Sequence, residues 1–226
     1  MNARVRVLCW DPGKKGRPRY STYTVPFARG DKVLGGLLYI YTHLDPCLSF
    51  RFNCRGRHCG ECAMMINGSP GLSCAVPMSR ELTLEPLRNL PVIKDLVIDR
   101  GEVYGNIVRR LPAARATAYE GKGLRGVPMD VVDRIVRLDD CIQCLCCMAV
   151  CPAYKKGPDH FMGPFGLLAL AAIVEQGAAA DASGAVEPCT GCGLCEKVCP
   201  RNIPLFSEAI CALKSKPTRS SPRSLL

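Results

Sequence analysis

From Arg4 to Trp10 the chain begins by alternating charged and apolar residues, with Val5 and Val7 on one side and Arg4 and Arg6 on the other. That two-residue period predicts a half-buried strand. Asp11–Gly16 has the composition of a turn, and Tyr20–Phe27 returns as a β-rich second strand. The period then changes. Val33, Leu34, Leu37, Leu38 and Tyr41 fall at helical spacing, which predicts a helix capped by Asp31 and running to about His43. Ala63–Ile66 reads as a strand, and Asn67-Gly68 as the turn between it and the stretch leading to Cys74. Later in the chain helical patterns dominate, over Asp130–Leu138, Gly163–Val174 and Pro204–Leu213.

Cysteine placement changes the picture most. Cys141-x2-Cys144-x2-Cys147-x3-Cys151-Pro152 recurs as Cys189-x2-Cys192-x2-Cys195-x3-Cys199-Pro200. This is the bacterial ferredoxin run, in which three close cysteines hold one [4Fe–4S] cluster and the fourth reaches the other. Exchanging the fourth ligands assigns Cys141, Cys144, Cys147 and Cys199 to one cluster, and Cys189, Cys192, Cys195 and Cys151 to the second. A third set, Cys54-x4-Cys59-x2-Cys62 with Cys74, has the plant-type spacing of a [2Fe–2S] site. A Rieske centre needs two histidines among its ligands, and only His58 lies nearby. Cys9, Cys47, Cys146 and Cys211 are left over and read as small buried hydrophobes. Each cysteine run is expected near a helix start, with backbone N–H groups donating to sulfur. Pro152 and Pro200 are expected to stop any preceding helix and turn the chain.

The expected fold class is therefore α+β. An N-terminal β-grasp plant-type ferredoxin domain occupies residues 1–100, with the loop Cys54–Gly60 wrapping the small cluster. A connecting segment covers 101–127, an all-α bacterial-ferredoxin-like domain with two [4Fe–4S] clusters covers 128–213, and a disordered basic tail covers 214–226.

Composition narrows the function. Thiolates must stay reduced to bind iron, so a reducing compartment is expected, and the N-terminus shows no apolar signal region. The longest apolar run, Phe161–Val174, is shorter than the roughly 18 residues a span needs, and Pro164 interrupts it. The formal charge of +10 suggests nucleic acid at first sight. Three clusters near −2 each lower it to about +4, and no nucleic-acid partner is expected. The string Gly121–Gly126 matches G-x-G-x-x-G, but no strand precedes it and Pro128 follows, so it reads as a connection. No nucleophile–base arrangement is evident, so carbon chemistry is assigned to another subunit. Two structural zinc sites are the main rival, although zinc fingers usually join two distant cysteine pairs.

The residues also carry a family resemblance along nearly the whole chain. Asp45-Pro46-x-Leu48-x-Phe50-Arg51, Cys54-Arg55-x4-Gly60-x-Cys62-Ala63-Met64 and Ile66-Asn67-Gly68 resemble the iron–sulfur subunit of succinate dehydrogenase and fumarate reductase complexes. So do Pro91-Val92-Ile93-Lys94-Asp95-Leu96, Cys141-Ile142-x-Cys144-x-Cys146-Cys147 and Gly163-Pro164-x-Gly166-Leu167. The resemblance implies a partner flavoprotein with covalent FAD, a quinone or other acceptor, and a membrane anchor or cysteine-rich subunit. It also implies a cytoplasmic location, peripheral on the inner face of the cytoplasmic membrane through partner subunits.

Three departures from the family pattern stand out. Members commonly lack a cysteine at the position of Cys192 and then carry [3Fe–4S] as their last cluster; Cys192 implies [4Fe–4S], with [3Fe–4S] if it does not ligate. The serine, tryptophan and histidine of the usual quinone pocket correspond to Ala153, Lys156 and Thr190, which puts ordinary ubiquinone reduction in doubt. The extra cysteine-rich domain of some thiol-linked fumarate reductases is not expected within this chain. The leading expectation is an electron-transfer subunit of a variant succinate dehydrogenase or fumarate reductase. The alternatives are the same relay serving a related flavoprotein with another substrate and a non-quinone acceptor, and a free-standing ferredoxin carrier.

Overall fold

A computed structural model describes residues 1–111, 128–157, 159–175 and 183–215. The Gly121–Gly126 string, much of the 101–127 connection and the tail beyond Ser215 lie outside the described residues. In chain order the strands are β1 (Asn2–Cys9), β2 (Arg19–Pro26), β3 (Ala63–Ile66), β4 (Ser69–Leu72), β5 (Glu81–Glu85), β6 (Val92–Lys94) and β7 (Val97–Ile98). The helices are α1 (Val33–Tyr39), α2 (Arg100–Val108), α3 (Met129–Asp139), α4 (Cys146–Ala149), α5 (Gly163–Glu175), α6 (Ser183–Val186), α7 (Leu194–Lys197) and α8 (Cys211–Ser215). The chain divides into two compact units, one of residues 1–103 with 142–150, the other of residues 104–141 with 151–226. The segment around Cys144 and Cys147 thus packs with the N-terminal unit.

The first unit is built on a five-stranded sheet in the order β2-β1-β5-β3-β4. β1 and β2 pair antiparallel, β1 runs parallel to β5, and β3 pairs antiparallel with both β4 and β5. The alternation of β1 explains its burial: Ala3, Val5 and Val7 point into the core while Arg4 and Arg6 face water. The same core takes Val33 and Leu37 from α1, and Leu82 and Leu84 from β5. Asn67 and Gly68 turn β3 into β4 with φ of 49° and 82°. The sheet and helix order agree with the β-grasp expectation.

Three local expectations are corrected. Of the leftover cysteines expected to be buried, Cys146 is, Cys9 and Cys211 are half-buried, and Cys47 is exposed. Asp31 does not cap the helix: its Oδ2 accepts from Ala28 N–H at 2.7 Å, and Lys32 occupies the cap position without a side-chain hydrogen bond. After Tyr39 the coil widens into a π-helical turn, Ile40–Leu44, which rotates Tyr41 off the buried face and leaves it 46% exposed.

In the second unit α5 packs against α3 and against the π-helical stretch Leu205–Ile210 that leads into α8. Leu167, Leu168 and Leu170 of α5 are buried. Pro164 stands in the first turn of α5, so it starts the helix and does not interrupt it. No helix among the described residues is long and apolar enough to cross a membrane.

The sheet core predicts its own weak point. Leu84 has no exposed surface and lies on the strand joining both halves of the sheet. Leu84→Ala is expected to lower stability by about 2–5 kcal/mol, measured as a shifted denaturation midpoint followed by far-ultraviolet circular dichroism. A shift below about 1 kcal/mol contradicts this packing.

Candidate iron–sulfur sites

The plant-type loop leaves the core through a short polar anchor. Asp95, 6% exposed, accepts Trp10 N–H on Oδ1 at 3.0 Å and Ser49 N–H on Oδ2 at 2.9 Å. Lys94 Nζ donates to Cys47 O at 2.9 Å. Together they fix the segment that feeds into Cys54. The loop then turns on residues with positive φ, namely Arg55 (57°), Arg57 (68°) and Gly60 (69°). This conformation aims amides inward. Gly56 and His58 N–H donate to Cys54 Sγ at 3.4 and 3.3 Å, drawing that thiol down to about 7. Cys62 and Cys74 are buried on the inner side, and burial pushes Cys74 up to about 11, with a hydrogen bond to Cys62 adding to it. The backbone of Arg57 donates to Cys74, opposing that rise.

Cys144 and Cys147 belong to the first unit, on either side of Cys146, the residue that opens α4. Cys146 is fully buried and hydrogen-bonds to Cys144, which, with the nearby Arg100 cation, draws the Cys144 thiol down to about 7 against its burial. Asn89 Nδ2 donates to Ala149 O at 3.1 Å, closing the far end of that turn. Cys141 and Cys199 belong to the second unit. Their neighbours pair: Arg201 Nε donates to Asp140 Oδ2 at 2.9 Å and Nη2 to Oδ1 of the same carboxylate, a two-pronged bond that raises the Arg201 pKa. It joins the residue before Cys141 to the residue two after Cys199.

The second run closes on a cavity. Cys151, Cys189, Cys192 and Cys195 all line it. Its remaining wall is largely apolar, with Phe161, Pro164, Phe206 and Ile210, and Thr190 lines it as well. Burial pushes Cys195 up to about 12 and raises Cys151. Phe206 is held in place by Glu196, whose carboxylate accepts the N–H groups of Phe206 and Ser207, each at 2.8 Å. Of the positions matched to a quinone pocket, Ala153 is buried and Lys156 exposed, and neither lines this cavity.

The donor chemistry fits iron–sulfur clusters. Cys151, Cys189, Cys192 and Cys195 line one cavity, and thiolates are the soft donors that iron–sulfur clusters take. Inward amides complement the negative sulfurs that remain. Among the described residues no group of three or more His, Cys, Asp or Glu side chains closes on a single metal ion. Sequence reasoning missed Arg100, Asp95, Asn89 and Glu196 as supports. Of these only Asp95 stood in a motif, and the motif gave it no role.

Comparison with known proteins agrees with both halves. The 2Fe-2S iron-sulfur cluster binding domain matches residues 4–105, and the 4Fe-4S dicluster domain matches residues 137–203. The fumarate reductase iron-sulfur subunit of Mycobacterium tuberculosis is 36% identical over 221 residues, covering 88% of this chain and 86% of that protein. A fumarate reductase (CoM/CoB) chain of Methanothermobacter marburgensis is 31% identical over 95% of this chain, which spans 44% of that longer protein. Among solved structures, a chain of the Mycobacterium smegmatis Sdh1 complex in the apo form matches with a TM-score of 0.84 at 26% identity, covering 95% of this chain and 94% of that one. Two cluster-binding domains in this order, on this fold and at this identity, make the chain a member of the family of succinate dehydrogenase and fumarate reductase iron–sulfur subunits.

Proposed function

We propose that this chain relays electrons between the FAD of a partner flavoprotein and a terminal acceptor, as the iron–sulfur subunit of a succinate dehydrogenase or fumarate reductase. Cys54, Cys59, Cys62 and Cys74 hold a [2Fe–2S] cluster. Cys141, Cys144, Cys147 and Cys199 hold one [4Fe–4S], and Cys151, Cys189, Cys192 and Cys195 hold the other. When bound, such clusters supply one-electron carriers whose potentials answer to charge, hydrogen bonds and burial. The chain's own residues hold the sulfurs and aim amides at them. The observation that carries this reading is the shared cavity of Cys151, Cys189, Cys192 and Cys195, since the first run's last cysteine joins three of the second. Attachment at the inner face of a membrane falls to partner subunits.

A second reading changes only the acceptor, from quinone to a cysteine-rich subunit. It is supported by Ala153, Lys156 and Thr190 at the quinone-pocket positions and by the name of the methanogen relative, fumarate reductase (CoM/CoB). Anaerobic purification separates the two by what co-elutes beside the flavoprotein.

Two measurements check the ligand assignment. Oxygen-free protein is expected to hold about ten irons, two at the plant-type site and four at each of the others. Cys192→Ala is expected to lose about one iron and to show the electron paramagnetic resonance signal of an oxidised [3Fe–4S] cluster. Unchanged iron in that variant removes Cys192 from the ligand set. In metal-free protein, alkylation mapped by mass spectrometry is expected to titrate Cys54 with a midpoint of about 7, since its thiolate forms above that pH. Cys74, pushed to about 11, and Cys195, pushed to about 12, are expected to stay unreactive through about pH 9. A Cys54 midpoint at the ordinary thiol value contradicts the amide contacts.

A further inference from the structure

Arg100 opens α2 and is only 8% exposed, although nothing in the proposed ligation uses it. Its Nη2 donates to Gly60 O at 2.8 Å, and its Nη1 donates to Gln143 O at 2.9 Å. Glu61 Oε1 lies 3.7 Å from Nη1. Gly60 stands between Cys59 and Cys62, and Gln143 immediately precedes Cys144. One guanidinium therefore bonds the backbone of two cysteine loops, both within the first unit. The loops also touch directly. A Cβ on Gly60 would sit 2.4 Å from Ile142 O and 3.0 Å from Cys144 Cα, so only glycine allows this approach, and φ of 69° there favours glycine as well.

We propose that Arg100 is a positioning and tuning residue: it fixes the plant-type loop against Cys144, and its buried charge favours the reduced form of the two clusters those loops hold. The inference rests on the ligand assignment proposed above. Its physics is short. An electron entering a cluster adds negative charge, and a cation held in a poorly solvated site stabilises that charge far more than one in water. The planar fork can bond two carbonyls at once, which the single ammonium of lysine does with less rigidity. Glu61 opposes part of the charge, but its side chain is 31% exposed and reaches only one prong at 3.7 Å. The cluster proposed on Cys151, Cys189, Cys192 and Cys195 takes one ligand from the first run, Cys151, which lies beyond α4 from Gln143, and none from the plant-type loop, so it serves as an internal control.

The test uses the intact anaerobic complex, with Arg100→Gln and Arg100→Lys followed by redox titration under electron paramagnetic resonance. At a fixed potential Arg100→Gln is expected to lower the reduced-to-oxidised ratio of the [2Fe–2S] cluster and of the Cys144 cluster about tenfold. The Cys189 cluster is expected to stay in place, and Arg100→Lys to recover most of both ratios. Unmoved ratios in Arg100→Gln with full iron content overturn the proposal. An equal shift of all three clusters also overturns it, because the effect is then general. Should Arg100→Gln fail to assemble, Arg100→Lys alone decides: ratios near wild type support the charge role, and a drop of tenfold or more defeats it. Absence of clusters from the wild-type protein is a separate result, which sinks the ligand assignment itself.

Discussion

Sulfur that must exchange a proton for iron needs donors around it, and this chain obtains them by bending its backbone into the left-handed region. Arg55, Arg57 and Gly60 adopt positive φ in the plant-type loop, Gln143 and Leu145 in the first run, and Gly191 and Gly193 in the second. For a residue with a Cβ this conformation costs about 1–2 kcal/mol. Four of these positions carry a side chain, so the loops are not at their own minimum. Something outside them must hold the shape, and the rest of the fold can be understood as the means of doing so.

In the first unit that means is a set of side chains reaching backbone far away in sequence. Asp95 binds the amides of Trp10 and Ser49, Lys94 the carbonyl of Cys47, Asn89 that of Ala149, and Arg100 those of Gly60 and Gln143. Each satisfies main-chain groups that a loop, having no ladder partner, would leave unpaired. The sheet core of Val5, Val7, Leu37 and Leu84 gives the rigid base, and the polar contacts transfer that rigidity to the sulfurs.

This division explains what the sequence made legible. Cysteine spacing is written in the chain itself, so the three cysteine sets were visible without a fold. The strand at Arg4–Trp10 and the helices near Asp130, Gly163 and Pro204 announced themselves by period, and each appeared within about two residues of its expected bounds. Arg100 was not visible, because its acceptors are carbonyls 40 and 43 residues away and a carbonyl has no signature in a sequence. Asp31 misled for the opposite reason. It has the composition of a cap, but the turn at Ala28 takes its carboxylate first. Tyr41 followed the helical period until the coil widened to π geometry, which the period cannot register.

The two cysteine runs show how one backbone path is reached from different residues. Gln143 and Leu145 occupy the positions that Gly191 and Gly193 occupy in the second run, with φ of 53° and 63° against 74° and 68°. In the first run, Leu145 is buried at 1% exposure, and its burial against core atoms offsets the conformational cost. The second run is covered in part, with the Phe206 ring over Gly191 and Gly193. Cys192 and Thr190 are exposed, and a Cβ at Gly191 would lie 3.8 Å from the Phe206 ring. Glycine there removes the strain at its source, and Glu196 supplies order from outside by bonding the amides of Phe206 and Ser207. The two runs thus reach one backbone path by different means, a buried side chain at Leu145 in the first and the lack of a side chain at Gly193 in the second.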